Sequence, residues 1–151
     1  MTGLWKKLNL KGQSPIHIVN APESFEKELK QLKNVSVRSR FTAASKVSFT
    51  ICFVTTQKQI EKAAKNLKGT KGEDPVVWFA YPKKSSKKYE CDFDRDRGWE
   101  SIGKAGFEGV RMVAIDEDWS ALRFRRVEHI KTLKRNPKMA LSAEGKKRTK
   151  R

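Results

Sequence analysis

The chain has 151 residues and carries 34 Lys or Arg against 17 Asp or Glu, a formal net charge of +17. That length suits one compact domain with an extension and is too short for two ordinary domains. With 37% hydrophobic residues the chain can bury a real core, which excludes whole-protein disorder. No apolar run approaches the roughly 18 to 20 residues of a membrane helix, and the residues after Met1 lack the apolar segment of a signal peptide, so a cytoplasmic protein is expected.

A lead carrying Leu4, Trp5, Leu8 and Leu10 precedes residues 15–20, which read as a buried strand through Ile16, His17, Ile18 and Val19. The strand runs through Asn20-Ala21-Pro22 into a helix, and Pro22 suits the first helical turn because its missing N–H needs no partner there. Phe25, Leu29 and Leu32 repeat at i, i+4 and i+7, giving that helix one apolar stripe. Val35 to Arg38 predicts a short second strand. Residues 47–54 are nearly continuous in apolar and β-branched side chains, as expected of a strand covered on both faces.

Thr56-Gln57-Lys58-Gln59 has capping-box form, with the Thr hydroxyl and the Gln side chain each meeting a free backbone N–H. Ile60, Ala63, Ala64 and Leu67 supply the helical stripe that follows, and Gly69 gives a stop signal. Residues 75–81 form a second doubly buried strand. Two such strands joined by one helix imply a parallel crossover. The stretch 94–105 carries Trp99 and Ile102 but also Gly98 and Gly103, each costing about 1 kcal/mol inside a helix, so it should be short or irregular.

Residues 110–115 and 120–126 flank the polar turn Asp116-Glu117-Asp118-Trp119 and predict a hairpin. Leu122 and Phe124 alternate with Arg123 and Arg125, so the last strand should be antiparallel to its neighbour and exposed on one face. From Lys131 the apolar pattern stops, and nine Lys or Arg stand against Glu144 alone, a net +8 of the +17. The expected fold is α/β: a three-layer Rossmann-like sandwich whose mostly parallel sheet of about five to six strands ends in an antiparallel hairpin. Residues 1–130 would form that single domain and 131–151 a flexible basic tail.

Three stretches occur in a recognisable order: Val19-Asn20-Ala21-Pro22-Glu23, Trp78-Phe79-Ala80-Tyr81-Pro82-Lys83-Lys84 and Asp116-Glu117-Asp118-Trp119-Ser120-Ala121-Leu122-Arg123-Phe124. Between residues 8 and 126 the chain resembles an uncharacterised bacterial domain family, a domain of unknown function, with a NAPE-like first turn, a W-x-x-[WY]-P-K-K strand end and a D-E-x-W-S-x-L-[KR]-F hairpin. The resemblance implies a fold and no reaction.

More distantly, the chain is similar to class I methyltransferases, whose later half also runs strand, helix, strand, helix and antiparallel hairpin. The likeness would set residues 49–54 at that superfamily's fourth-motif strand and 75–82 at the strand after it. It breaks at the first turn, where the superfamily has glycines that let adenosylmethionine lie against the backbone. Asn20-Ala21-Pro22-Glu23-Ser24 places side chains and a ring there instead. Val37-Arg38-Ser39-Arg40 is basic where an acid would hold a ribose. No nucleoside cofactor is therefore expected.

Open α/β sheets bind ligands at the carboxyl ends of their strands. On that edge Asn20, Glu23, Thr55, Tyr81, Lys83 and Lys84 are candidates to contact a small ligand, the lysines as point charges for a phosphate. Lys87 and Lys88, with Lys146, Lys147, Arg148, Lys150 and Arg151 of the tail, are candidates to attract polyanions such as nucleic acid through salt-sensitive contacts. Structural roles compete with these: a solvated, flexible loop for 83–88, a helix cap for Asn20, and dipole compensation for Glu23.

Asp116, Glu117 and Asp118 read as turn residues rather than a metal cluster. His17 and His129 have no nucleophile or carboxylate beside them in sequence, Cys52 sits in an apolar run, and Cys91 lies near lysines. The cysteines lack a disulfide or metal spacing. No catalytic constellation, metal site or cofactor loop is found. The leading expectation is a non-catalytic binding or accessory module with anionic partners; the alternative is a degenerate methyltransferase-like or small-ligand-binding enzyme using the strand ends.

Overall fold

The computed structural model describes residues 3–70, 73–93 and 97–130; the basic stretch 131–151, with the candidate residues Lys146, Lys147, Arg148, Lys150 and Arg151, lies outside them. Six strands form one sheet: β1 (Ile16–Val19), β2 (Val37–Arg38), β3 (Phe49–Phe53), β4 (Val76–Pro82), β5 (Phe107–Ala114) and β6 (Trp119–Arg126). Their order across the sheet is β2-β1-β3-β4-β6-β5, with the first four parallel and β6 antiparallel to both of its neighbours. Helices cover both faces, so the fold is a three-layer Rossmann-like α/β sandwich.

On one face lie α3 (Gln57–Leu67) and α4 (Glu100–Lys104). The capping box of α3 forms as its sequence requires: Gln59 N donates to Thr56 Oγ1 at 3.2 Å, and Thr56 N donates to Gln59 Oε1 at 3.2 Å. Ile60, Ala63, Ala64 and Leu67 are the buried residues of that helix. Beneath them the odd-numbered side chains of β4, Val77, Phe79 and Tyr81, join Trp99, Ile102, Phe107 and Phe124 in one core. Trp99 is its hub, with ring centroids 5.7 Å from Phe79, 5.8 Å from Tyr81, and 5.1 Å from both Phe93 and Phe124.

The opposite face is covered by α1 (Gly3–Lys7), a 3-10 turn (Glu23–Phe25) and α2 (Glu26–Leu29). Trp5, which follows no long periodic pattern, is fully buried there against Phe25 and Phe49. Its indole N–H donates to the Glu28 carbonyl at 3.0 Å, while that of Trp78 donates to the Leu8 carbonyl at 2.8 Å. The N-terminal lead is therefore a piece of the outer layer, tied down by two tryptophans.

Four expectations need correction. The helix after β1 ends at Leu29, not Leu32, and Pro22 occupies the capping position ahead of a 3-10 turn rather than a place inside the helix. Gly69 does not end α3 through a left-handed conformation; it lies in the 3-10 turn Lys68–Thr70, where a Cβ would collide with the Ala43 carbonyl oxygen. Asn20 caps no helix. Finally, β6 is antiparallel to its neighbours as expected, but neither of its faces is open: Ser120, Leu122, Arg123 and Arg125 are half-buried, because β6 inserts between β4 and β5, and β5 is the edge, with Val110, Arg111 and Met112 exposed. The chain has to pass β6's position to make β5 first and then return, a pairing that a hairpin pattern does not specify.

Candidate functional site

In an open α/β sheet the ligand crevice lies where the chain reverses its direction of travel across the sheet, outside the carboxyl ends of the two strands concerned. Here that point falls between β1 and β3, because β2 is added on one side of β1 and β3 on the other. Asn20 closes the end of β1 in the left-handed region (φ 57°), which its short polar side chain tolerates. Its Nδ2 makes a long hydrogen bond, 3.5 Å, to the Phe53 carbonyl at the end of β3. The Asn20 side chain therefore spans the two strand ends.

Adenosylmethionine, the cofactor that a methyltransferase-like topology implies, does not fit this seat. Pro22 has no N–H to offer, Ala21 and Glu23 project side chains from the turn, and α2 is only four residues long. Beyond β2, the exposed run Arg38, Ser39, Arg40 supplies no carboxylate for a ribose. Glu23 is exposed on the 3-10 turn, and its side chain has no hydrogen bond with a described residue.

A cleft of about 1060 Å³ opens instead farther along the same edge, past the ends of β4 and β5 and the start of β6. Tyr81, Lys83 and Lys84 line it, as do Ser86, Arg97, Met112 and Ser120. Tyr81 is almost wholly buried, and its hydroxyl donates to the Met112 Sδ at 3.3 Å. Of the six ligand candidates the structure thus brings three together in one cleft and leaves Asn20, Glu23 and Thr55 outside it. Thr55 is absorbed by the start of α3: its N–H donates to Gln59 Oε1 at 2.7 Å and its hydroxyl does so at 3.3 Å.

The outer wall of the cleft is formed by residues 83–93, which fold back over the sheet edge. Lys83 N donates to the Asp118 carbonyl at 2.8 Å, and Ser86 Oγ donates to Asp118 Oδ1 at 2.9 Å, tying the lysine-rich stretch to the hairpin turn. Tyr89 packs its ring 4.9 Å from Trp119. At the far end, Asp92 Oδ1 accepts the Gln57 backbone N–H at 2.8 Å, and Asp92 N donates to the Thr55 carbonyl at 3.2 Å. The α3 N-terminus, a natural anion seat, is thereby filled by the chain's own carboxylate.

Lys83 is half-buried, whereas Lys84, Lys87 and Lys88 are exposed. Sequence reasoning missed Ser86, Asp92, Phe93, Arg97 and Met112 as cleft residues. The visible signal was the pair Tyr89 and Phe93, aromatics that a purely solvated loop would not need.

The remaining candidates have structural surroundings. Asp116 Oδ1 accepts the N–H groups of Asp118 and Trp119 at 2.8 and 2.9 Å, as a turn aspartate does. Among the described residues no His, Cys, Asp and Glu side chains gather in a group able to hold a metal ion. Burial pushes the Cys52 thiol up to about 12, so it stays protonated and inert. Cys91 Sγ donates to the Phe93 carbonyl at 2.9 Å. His129 Nε2 lies 2.9 Å from the Glu73 carbonyl. No helix among the described residues is long and apolar enough to cross a membrane.

His17 is buried, edge-on to Phe41, with no partner for Nδ1. Burial first, and then the charge of Arg38, holds its imidazole below the usual range. The unfolded chain takes up this proton near the ordinary pKa of about 6.5 while the folded chain resists it, so His17 withdraws stability as pH falls below that value. The melting temperature of the wild type should drop more between about pH 7.5 and about pH 5.5 than that of His17→Gln; equal drops would remove His17 as the cause.

No protein-family model and no curated protein matches this chain. Solved structures do. A SAM-dependent methyltransferase from Aquifex aeolicus is 18% identical, with a TM-score of 0.46 over 82% of this chain and 76% of that one. LepI, in its complex with SAM, is 13% identical with a TM-score of 0.43, over 82% of this chain and 39% of its own. The structure of a fibrillarin/Nop5p complex contains a chain 19% identical with a TM-score of 0.41, over 74% of this chain and 61% of that one. What the present chain does has to be read from its own residues.

Proposed function

We propose that this protein is a methyltransferase-like α/β domain that binds a small organic anion in the cleft beyond β4, and not a nucleoside cofactor between β1 and β3. The observation that supports this reading is the cleft itself, about 1060 Å³, where Lys83, Lys84 and Arg97 stand beside Tyr81, Phe93 and Met112. Apolar walls with a few convergent charges are the usual make-up of a ligand pocket. They suit a carboxylate or phosphate attached to an apolar or planar body. Glu90 and Asp92 also line the cleft, the latter holding the Gln57 backbone N–H, so the anionic end of such a ligand belongs beside Lys83 and Lys84.

A thermal-stability screen of small organic phosphates and carboxylates at moderate salt tests the reading. At least one should raise the melting temperature of the wild type. The double variant Lys83→Ala/Lys84→Ala should fold normally, since neither lysine is buried, and should bind that compound about 10- to 100-fold more weakly, the worth of one or two charge-assisted hydrogen bonds. Protection by adenosylmethionine that survives the double substitution would defeat the reading.

A second reading, an accessory module for polyanions, is favoured by one observation, the net charge of +17 with +8 of it between residues 131 and 151. Exposed Lys87 and Lys88 would add to that attraction. Binding of this kind weakens steeply with salt, whereas the cleft reading requires protection that persists at moderate ionic strength.

A further inference from the structure

One row of residues crosses β4, β6 and β5: Trp78 pairs with Arg123, and Arg123 pairs with Arg111. Directly paired residues point to the same side of a sheet, here the side where Trp78 lies under the N-terminal lead. Cover falls along the row, from complete at Trp78 to partial at Arg123 and none at Arg111. Arg125, two residues farther along β6, lies on the same side. Tyr81 and the cleft lie on the other.

Of these three arginines, Arg125 is the one with a salt bridge to a described residue. Asp74 accepts from its Nε at 3.1 Å and from its Nη2 at 2.8 Å, so both carboxylate oxygens are engaged. Arg123 has neither a hydrogen bond nor an ion pair with a described residue, and its Nε is buried without an acceptor. Burial first, then the charge of Arg125 and last that of Arg111 work against its protonated form, and the more distant Asp74 carboxylate, already bonded to Arg125, offsets them only in part. Like charges directly opposite one another on a sheet are destabilising. The register thus pairs two arginines across the β5–β6 ladder, one of them half-buried, and among the described residues neither has a carboxylate in salt-bridge contact.

We propose that Arg111 and Arg123 form an oxyanion site on the outer face of the β5–β6 hairpin, which holds a phosphate group between two guanidinium forks. The planar fork matches phosphate geometry, and a bound phosphate would supply a countercharge in direct contact, which Arg111 and Arg123 lack among the described residues. The phosphate is either free, as inorganic phosphate or a phosphomonoester, or part of a nucleic-acid backbone. Arg125, engaged by both oxygens of Asp74, is not available to the ligand.

The test uses the full chain and two variants, Arg111→Gln and Arg123→Gln. Melting temperature is measured with inorganic phosphate against sodium chloride at equal ionic strength. Phosphate should raise the wild-type value beyond the chloride control. Arg111→Gln should raise the melting temperature in chloride, because repulsion is relieved, and should cut the phosphate gain by more than half. Arg123→Gln should abolish the gain. If Arg123→Gln does not fold, Arg111→Gln decides alone, since that side chain is exposed.

Equal phosphate gains in wild type and variants would overturn the proposal, as would the absence of any gain together with unchanged affinity for single-stranded DNA. The source of the phosphate is read from binding of a labelled DNA oligonucleotide across a salt series. A backbone site predicts that the slope of log affinity against log salt falls by about 0.7 per arginine removed. A site for free phosphate predicts an unchanged slope with the phosphate gain lost.

Discussion

Replacing Trp5 with Ala should destabilise the protein by about 3–5 kcal/mol, the usual cost of emptying a large aromatic site in a core. Trp5 is fully buried, donates its indole N–H to the Glu28 carbonyl at 3.0 Å, and packs 5.7 Å from Phe25 and 6.3 Å from Phe49. The substitution leaves a void, removes the indole donor from the Glu28 carbonyl, which keeps the Gln31 N–H at 3.2 Å, and deprives the five-residue α1 of its buried side chain. Against a total stability of about 5–15 kcal/mol for a domain of this size, that is a large share. Urea unfolding should show a lower midpoint with an unchanged slope. Trp5→Phe, which keeps most of the volume, should lose about 1–2 kcal/mol for the missing hydrogen bond and the shape change. A loss below about 1 kcal/mol for Trp5→Ala would mean that the N-terminal lead frays in solution and that β1, β3 and β4 keep their cover without it.

What could be read from the sequence divides by the range of the interactions. The capping box at Thr56 and Gln59, the stripe from Ile60 to Leu67, and the apolar runs of β3 and β4 are set by neighbours within a turn or a strand, and each appears where its pattern puts it. Position in the sheet is not local. A hairpin pattern states that β5 and β6 pair, but whether β5 or β6 meets β4 depends on contacts such as Phe79 with Leu122 and Val77 with Phe124, more than 40 residues apart. The half-apolar alternation of β6 suggested exposure. Its polar positions, Arg123 and Arg125, are half-buried because strands flank β6 on both sides.

The same division holds for the site. Lys83, Lys84 and Tyr81 were visible because the end of a central strand is a recurrent ligand position. The wall opposite them was not, because it is made by bonds between residues distant in sequence: Ser86 with Asp118 across 32 residues, and Gln57 with Asp92 across 35. A serine between lysine pairs carries no sign of such a partner. Asn20 follows the apolar run of β1 and so stands at its carboxyl end, but its bond across 33 residues to the Phe53 carbonyl, rather than to the helix that follows it, comes only from the fold.

Trp99→Ala should cost about 3–5 kcal/mol as well, but with a consequence for the cleft that Trp5→Ala lacks. Trp99 packs against Phe93 and Tyr81, and those two rings line the cleft. Gly98 sets this contact: at φ +100° it adopts a conformation open to glycine, and a Cβ there would stand 2.5 Å from the Phe93 Cβ. With the indole removed, Phe93 and Tyr81 lose their support, and the wall carrying Asp92 loses its registration on α3. The variant should therefore lose both stability and affinity for the cleft ligand, measured at a temperature where it remains folded. Trp5→Ala, on the opposite face of the sheet, should lose stability alone. Lys83→Ala/Lys84→Ala should lose affinity alone. Should Trp99→Ala bind the cleft ligand as tightly as the wild type while folded, the aromatic cluster would be a support for the fold only, and recognition would rest on the two lysines without the rings beneath them.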